Sequence, residues 1–314
     1  MVNIGKCCSP KEKRRFFTLF KKYSDVLAYY YDELKSFQPK EMHHSIRLNQ
    51  DAKPFRQKQR PYNPKITDTI KEEVMNMLNA RIIFPIHHST WVANIVPVWK
   101  KNGKIRICVD FHNLNQASLK DNYPLPIMDH FLQGVIESEI LSLLDGFLGY
   151  NQIKVVEEDR AKITFTMPWG TFSYSRMPFG IINVGATFQM AMELAFRDLK
   201  NCIFIYLDDL TVFSKKRGDH THHLEQVLAR YRKHGISLNP KKCIFRVMEG
   251  KLLGHIVNKH GAHIDPERVR AIKALSLPTS KKGFHSFFRK VNFLRHFVPE
   301  FAELTKHITT MMKP

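Results

Sequence analysis

The chain has 314 residues, 43% of them hydrophobic and 25% charged, which is ordinary globular chemistry and excludes the disordered and collagen-like classes. That length gives room for about two domains, or one domain with lobes. Lysine and arginine (49) outnumber aspartate and glutamate (29), a formal charge of +20 that favours a polyanionic partner: nucleic acid first, an anionic membrane surface second.

Chain order then shows its elements. The opening MVNIGKCCSPKEKRR lacks the apolar core of a signal peptide. The first sixty residues are aromatic-rich, then polar and basic through KPFRQKQR (53–60). With Pro54, Pro61 and Pro64, the basic stretch reads as an extended arm. From Thr69, helical spacing appears in Ile70, Val74, Met77 and Leu78, with Thr69 and Glu72 placed as a capping box. WVANIVPVW (91–99) and KIRICVDF (104–111) flank Asn102-Gly103, a hairpin signature. Residues 140–144 and 152–156 read as strands on either side of a glycine-containing bend. Residues 185–199 read as a helix through Phe188, Met192, Phe196 and Leu199. A second hairpin is predicted from residues 202–207 and 210–213, with Asp208-Asp209 as its turn. Leu224, Val227, Leu228 and Tyr231 mark a helix that stops near Gly235, and the tail from Asp265 is helical with breaks at Pro278 and Pro299. Strands with helices interleaved, then helices alone, make an α+β fold with a helical appendage.

Five cysteines (Cys7, Cys8, Cys108, Cys202, Cys243) form no C-x-x-C pair, and their odd number argues against a disulfide framework. A reducing compartment is expected. No apolar run reaches the roughly 18 residues that cross a bilayer. The expectation is an intracellular protein, cytoplasmic or nuclear rather than secreted, with no membrane partner.

The segment that carries chemistry is CIFIYLDDLTVF (202–213), with two adjacent carboxylates at the tip of a hairpin whose arms are apolar. Solvated turn aspartates would explain such a pair taken alone. LSLLDGFLGY (141–150) adds Asp145 at the end of an apolar strand, before a glycine-bearing bend. If that strand lies beside the hairpin, Asp145 meets Asp208 and Asp209 at one sheet edge. Like charges so close repel and lose hydration unless a cation neutralises them. Three hard-oxygen ligands suit Mg²⁺, and two such ions roughly 3.5–4 Å apart serve phosphoryl transfer. Together with the basic charge, this is the chemistry of a polymerase on a nucleic-acid template.

Further blocks occur in order: DVLAYYYDEL (25–34), KPFRQKQRPYNP (53–64), VPVWKKNGKIRICVDFHNLN (96–115), DNYPLPIMD (121–129), LLDGFLGYNQIKV (143–155), MPFGIINVGATFQ (177–189), YLDDL (206–210), LNPKKCIF (238–245), LLGHIV (252–257) and IDPERVRAI (264–272). From about Val26 onward the chain resembles the reverse transcriptase, an RNA-directed DNA polymerase, of gypsy-type LTR retrotransposons. Departures from that pattern fall at His112, Ile181, Ile182, Val184-Gly185 and Arg289.

The resemblance implies a right-hand polymerase: an N-terminal arm at 1–60, fingers and a ferredoxin-like palm at 61–261, and a helical thumb at 262–314. It implies that Asp145, Asp208 and Asp209 are catalytic and hold two Mg²⁺ ions, with Mn²⁺ as the alternative, and that the Gly146 carbonyl is a backbone ligand. Arg106 is implied as a triphosphate clamp, where a planar fork suits phosphate oxygens. Its companion lysine is Lys100 or Lys101, of which Lys101 is carried forward. Gly149, Tyr150 and Phe179 are implied to line the nucleotide site, with Tyr150 excluding a 2′-hydroxyl. Lys242 is implied as the general acid for pyrophosphate, and residues 252–257 resemble the primer grip. The implied partners are an RNA template, a DNA primer or product duplex, and deoxynucleoside triphosphates; the oligomeric state has no signal in the sequence. The family continues into connection, RNase H and integrase regions, so a fragment of a Pol polyprotein, or a truncated genomic copy, is expected.

Two rival readings accompany this one: a catalytically silent, transposon-derived nucleic-acid-binding protein, and an RNA-dependent RNA polymerase, which normally carries Gly-Asp-Asp. The histidines at 43–44, 87–88 and His220, His222 and His223 read as solvated surface rather than a zinc site. Cys108, Cys202 and Cys243 read as small buried hydrophobes. The clusters at 11–15, 53–60, 215–217 and 281–282 read either as solvated faces or as a lining for duplex phosphates. Phe284, Phe287, Phe288 and Phe293 read as thumb core.

Overall fold

The computed structural model describes residues 2–38, 42–61, 63–99, 103, 105–295 and 297–311. Its helices run over Pro10–Lys22 (α1), Pro64–Asn79 (α2), His112–Ala117 (α3), Met128–Val135 (α4), Val184–Ala195 (α5), His220–Lys233 (α6), Pro266–Lys273 (α7), Lys281–Val291 (α8), Phe301–Leu304 (α9) and Lys306–Met311 (α10). Its strands run over Asn3–Ile4 (β1), Ile83–Pro85 (β2), Val92–Trp99 (β3), Ile105–Val109 (β4), Ile140–Asp145 (β5), Thr164–Met167 (β6), Gly170–Tyr174 (β7), Ile203–Tyr206 (β8), Asp209–Ser214 (β9), Ile244–Val247 (β10), Glu249–Leu252 (β11), His255–Asn258 (β12) and Gly261–Ile264 (β13). These elements form two units: Met1–Ile127 with Glu139–Met248, and Met128–Ser138 with Glu249–Pro314.

The first unit holds two five-stranded sheets. One has the order β1-β10-β5-β9-β8, the other β2-β7-β6-β3-β4. In the first sheet, the chain path β5-α5-β8-β9-α6-β10 with antiparallel neighbours is the split β-α-β arrangement of ferredoxin-like folds. The arms of β5 and β9 are buried on both faces, which is why they read as continuous apolar runs. In the second sheet, β3 and β4 form the expected antiparallel hairpin.

Three local readings are corrected. The helix expected from Thr69 starts at Pro64: the Asn63 side chain caps it by accepting from Lys65 N, and Pro64 sits at the first helical position. Proline there needs no amide partner and has its φ already set. Residues 152–156 are not a strand, because Gln152 ends a 3₁₀ turn and its buried side chain bonds the backbone at Phe147 and Ser237. The third concerns histidines. His220 is fully buried between Ser142 (2.7 Å) and Ser214 (2.9 Å), and His44 is buried against Thr187 (2.9 Å). Burial lowers the pKa of His220 to about 3 and that of His44 to about 4, so both are neutral hydrogen-bonding groups of the core.

Residues 10–22 belong to the first unit. Ser9 and Glu12 make a reciprocal capping box, and Phe16, Leu19 and Phe20 bury one face of α1, with Phe20 4.6 Å from the Phe245 ring on β10. Residues 53–60 are extended as expected, pinned by Gln57 N donating to the Val92 carbonyl (2.8 Å). The second unit joins a three-stranded sheet, β11-β12-β13, to helices α7–α10. Phe284, Phe287, Phe288 and Phe293 are half-buried there; Phe293 stacks on His255 with centroids 4.6 Å apart. Arg289 lies exposed on α8, so its departure from the family pattern displaces no core residue.

Candidate active site

Asp145 is the last residue of β5 and Asp209 the first of β9, directly opposed across the antiparallel ladder. Opposed residues present their side chains on the same face. The turn joining β8 to β9 is Leu207-Asp208, because Tyr206 pairs with Asp209. The predicted Asp208-Asp209 turn is thus shifted by one residue, and the shift is what seats Asp209 in the strand beside Asp145. Leu207 takes a φ of 52°, which a two-residue hairpin turn demands.

Asp208 is the most constrained of the three. Its Oδ1 is buried with no hydrogen-bond partner among the described residues, and a Cβ on Gly149 would stand only 3.3 Å from that oxygen. Glycine is what lets the 149–152 turn approach so closely. Burial, then the charges of Asp145 and Asp209, push Asp208 up to about 6, against the Tyr150 hydroxyl and Lys242, which favour its charged form. Asp209 is raised by the same causes, lost hydration first and Asp145 second. Lys242 Nζ lies 3.0 and 3.1 Å from the two oxygens of Asp145. The backbone behind Asp145 is fixed by Asn239 N donating to its carbonyl (2.9 Å) and by its own N–H donating to Cys243 Sγ (3.3 Å). The Gly146 carbonyl accepts a long bond from Gly149 N, 3.4 Å.

The implied nucleotide residues form a continuous chain of contacts from this acid end. Tyr150 lies 4.8 Å from Phe179 and edge-on to Phe188 at 5.1 Å. The Arg106 guanidinium stands 5.6 Å from the Phe179 ring, a cation–π contact, and is itself exposed on β4. Burial and the Asp208 charge raise the Tyr150 phenol, so it stays neutral. Lys101 and its alternative Lys100 lie outside the described residues.

A family model described as reverse transcriptase (RNA-dependent DNA polymerase) matches residues 98–257. The retrovirus-related Pol polyprotein of transposon 297 from Drosophila melanogaster is 32% identical over 266 residues, 83% of this chain. The chain belongs to the reverse transcriptase family. The Pol polyprotein of transposon gypsy from the same organism is 30% identical over 274 residues, and a Tf2-3 transposon polyprotein from Schizosaccharomyces pombe is 27% identical over 299. The chain spans about a quarter of each: 25%, 26% and 22% of their lengths. A foamy viral protease–reverse transcriptase solved with double-stranded DNA superposes with a TM-score of 0.88 at 21% identity, covering 97% of this chain and 53% of that one. The foamy viral protein solved with an RNA/DNA hybrid gives 0.85 at 20%, covering 98% and 41%. These likenesses establish the α+β right-hand polymerase fold: this is a reverse transcriptase domain of the retrotransposon Pol type, and the family is one of nucleotidyltransferases.

Within this reverse transcriptase domain, the sequence reading missed the support beneath the acid turn. Gln189, fully buried on α5, accepts from Leu207 N (2.8 Å) and donates to the Ile205 carbonyl (3.2 Å) and to Glu193 (2.8 Å). The signal was available: a glutamine beside Phe188 on the apolar face of a helix needs a polar partner when buried. Gly185 makes room for the same turn, since a Cβ there would come within 3.3 Å of Leu207 Cδ2.

The donors fit a hard cation: carboxylate oxygens at one sheet end, one of them buried and unsatisfied. Among the described residues, no group of three His, Cys, Asp or Glu side chains is arranged to hold a metal ion as it stands, and Asp145 is held by the Lys242 ammonium instead. Among the same residues, no helix is long and apolar enough to cross a membrane.

Proposed function

We propose that this domain synthesises DNA on an RNA template, adding deoxynucleotides to a primer 3′-end at Asp145, Asp208 and Asp209. The observation that carries the reading is the register pair Asp145–Asp209 beside the raised Asp208, whose Oδ1 is unpaired among the described residues, one turn from the Tyr150–Phe179–Arg106 row. Asp145 and Asp208 would hold two Mg²⁺ ions (or Mn²⁺), with Asp209 and the Gly146 carbonyl shaping the site. When bound, the metal supplies a lowered pKa at the primer hydroxyl and neutralises charge on the triphosphate.

The chain's own residues would do the rest. Arg106 would bind the triphosphate as a fork, with Phe179 packing on the base and Tyr150 under the sugar, where a 2′-hydroxyl would clash. Gly149 would keep that floor close to Asp208. Lys242 would leave Asp145 when the site is charged with metal and give a proton to the departing pyrophosphate. The foamy viral proteins solved with double-stranded DNA and with an RNA/DNA hybrid support a nucleic-acid duplex as partner. Residues 262–314 would serve as the thumb.

One observation favours a second reading. The Lys242–Asp145 pair occupies the first carboxylate, as a silent nucleic-acid-binding relic would tolerate. Primer extension on an RNA template with Mg²⁺ separates the two. The intact chain is expected to extend the primer, and Asp208→Asn to fall by about 10³-fold, the worth of several kcal/mol of lost charge stabilisation. Tight hybrid binding without extension by the intact chain would establish the silent reading.

A further inference from the structure

Helix α1 carries more positive charge than its own stability can use. Lys11, Lys13, Arg14, Arg15, Lys21 and Lys22 are all exposed, while its one acid, Glu12, is committed to the N-terminal cap and to Arg217 and Arg246. Cations in the first turns oppose the helix dipole, and like charges four residues apart, such as Lys11 and Arg15, repel. Among the described residues Lys11, Arg14 and Arg15 have no carboxylate partner; Lys22 alone pairs, with Glu225 of α6 at 2.6 Å. Lys11, Arg14, Arg15, Thr18 and Lys22 recur on one helix face and line an open groove of about 960 Å³ against α6, whose single carboxylate is that same Glu225.

Phe17, 70% exposed, is not part of the groove lining; it lies on the helix surface next to Arg14, three residues earlier, with Lys13 one turn before it and Lys21 one turn after. We propose that this face of α1 is a second nucleic-acid site, which takes a single strand: phosphates along Lys11, Arg14, Arg15 and Lys22, and a base stacked on Phe17. Cationic grooves with an interleaved aromatic ring suit unpaired strands, because a duplex offers no base face to stack on. An anionic membrane fits less well. The apolar side of α1 (Phe16, Leu19, Phe20) is spent on the core, and an interfacial helix needs such a side to insert.

The site is separate from the acid end. Glu12 is anchored by Arg217, just past the Ser214 end of β9, whereas Asp209 opens that strand. Six residues of strand put the two ends roughly 17 Å apart.

Fluorescence anisotropy of a labelled single-stranded oligonucleotide, titrated with the full chain in the presence of excess unlabelled RNA/DNA hybrid, tests this. The readout is binding, so a catalytically silent chain tests it equally well. The intact chain should bind the free strand despite the competitor. Lys11→Ala/Arg14→Ala/Arg15→Ala should bind at least about tenfold more weakly and lower the log–log salt slope by about two, as losing three phosphate contacts requires. Phe17→Ala should weaken binding by about tenfold at unchanged salt slope. Alanine is the better helix former, so circular dichroism should show α1 intact. Equal affinity of the triple variant, or photo-crosslinks that avoid residues 10–22, would overturn the proposal. So would phosphatidylserine vesicles that bind through these cations while the oligonucleotide does not.

Discussion

Asp208 is where one side chain's surroundings make a measurable prediction. Its folded pKa of about 6 lies above the carboxylate value of 3.8, so the folded state holds a proton that the unfolded chain has released between those values. Stability contributed by this group is therefore present at low pH and lost as pH rises through about 6. Asp208→Asn should raise the stability of the metal-free protein at pH 7 by about 1–3 kcal/mol and flatten its pH dependence between roughly 4 and 6, read by thermal melts. A variant no more stable than the parent would contradict the raised pKa of this buried carboxylate. Glu12 has the opposite sign: the Arg217 guanidinium foremost holds it down to about 2, so its contribution is lost as pH falls below about 4.5. Tyr150 makes a second prediction, since its ring is wedged between Phe179 and Phe188. Tyr150→Ala should relax discrimination against ribonucleotides by about tenfold to a hundredfold in single-nucleotide incorporation, while deoxynucleotide incorporation persists. The positions of the three aspartates and of Tyr150 were legible because they lie in short motifs. The pairing of Asp145 with Lys242 was not, because it joins residues distant in the chain.

Among elements, the β8–β9 hairpin shows how the turn that carries Asp208 is held. Leu207 in a left-handed conformation is strained for a residue with a Cβ, and the buried Gln189 amide compensates by taking its N–H. Gln189→Ala would leave that N–H and the Ile205 carbonyl without their partner, costing about 1–3 kcal/mol. Because the turn carries Asp208, kcat should fall by about tenfold to a hundredfold with hybrid affinity unchanged. Loss of stability with full kcat would show that Gln189 supports the fold without positioning the acid. Apolar periodicity and turn residues located α5, α6 and the β3–β4 hairpin well. They misplaced the start of α2, because prolines that signal an arm also open helices, and they put the β8–β9 turn one residue late, because an Asp-Asp pair looks like a turn. The β11–β13 sheet was missed altogether; its four-residue strands are too short for periodicity to register.

For the whole molecule, the two units and the N-terminal segment set the terms. The fold class was legible because strands and helices alternate before helices dominate, and ten ordered blocks named the family. Nothing in the sequence showed that residues 1–22 are built into the first unit, since β1 joins β10 by backbone pairing and Arg246 is buried against Glu12 across the length of the chain. Glu12→Ala would leave the Arg246 charge buried without its counter-ion, and should cost about 3 kcal/mol, a fall of several degrees in Tm. An unchanged Tm would mean that the segment is held by Phe16, Leu19 and Phe20 alone.

The central claim, that Asp145 and Asp208 act together at one sheet end, is tested most directly by single-turnover incorporation of one deoxynucleotide opposite an RNA template in Mg²⁺. The intact domain should incorporate it, and Asp145→Asn and Asp208→Asn should each fall by about 10³-fold, the double variant losing little more, because residues that act as one unit are not additive. Incorporation that survives either single substitution undiminished would contradict it.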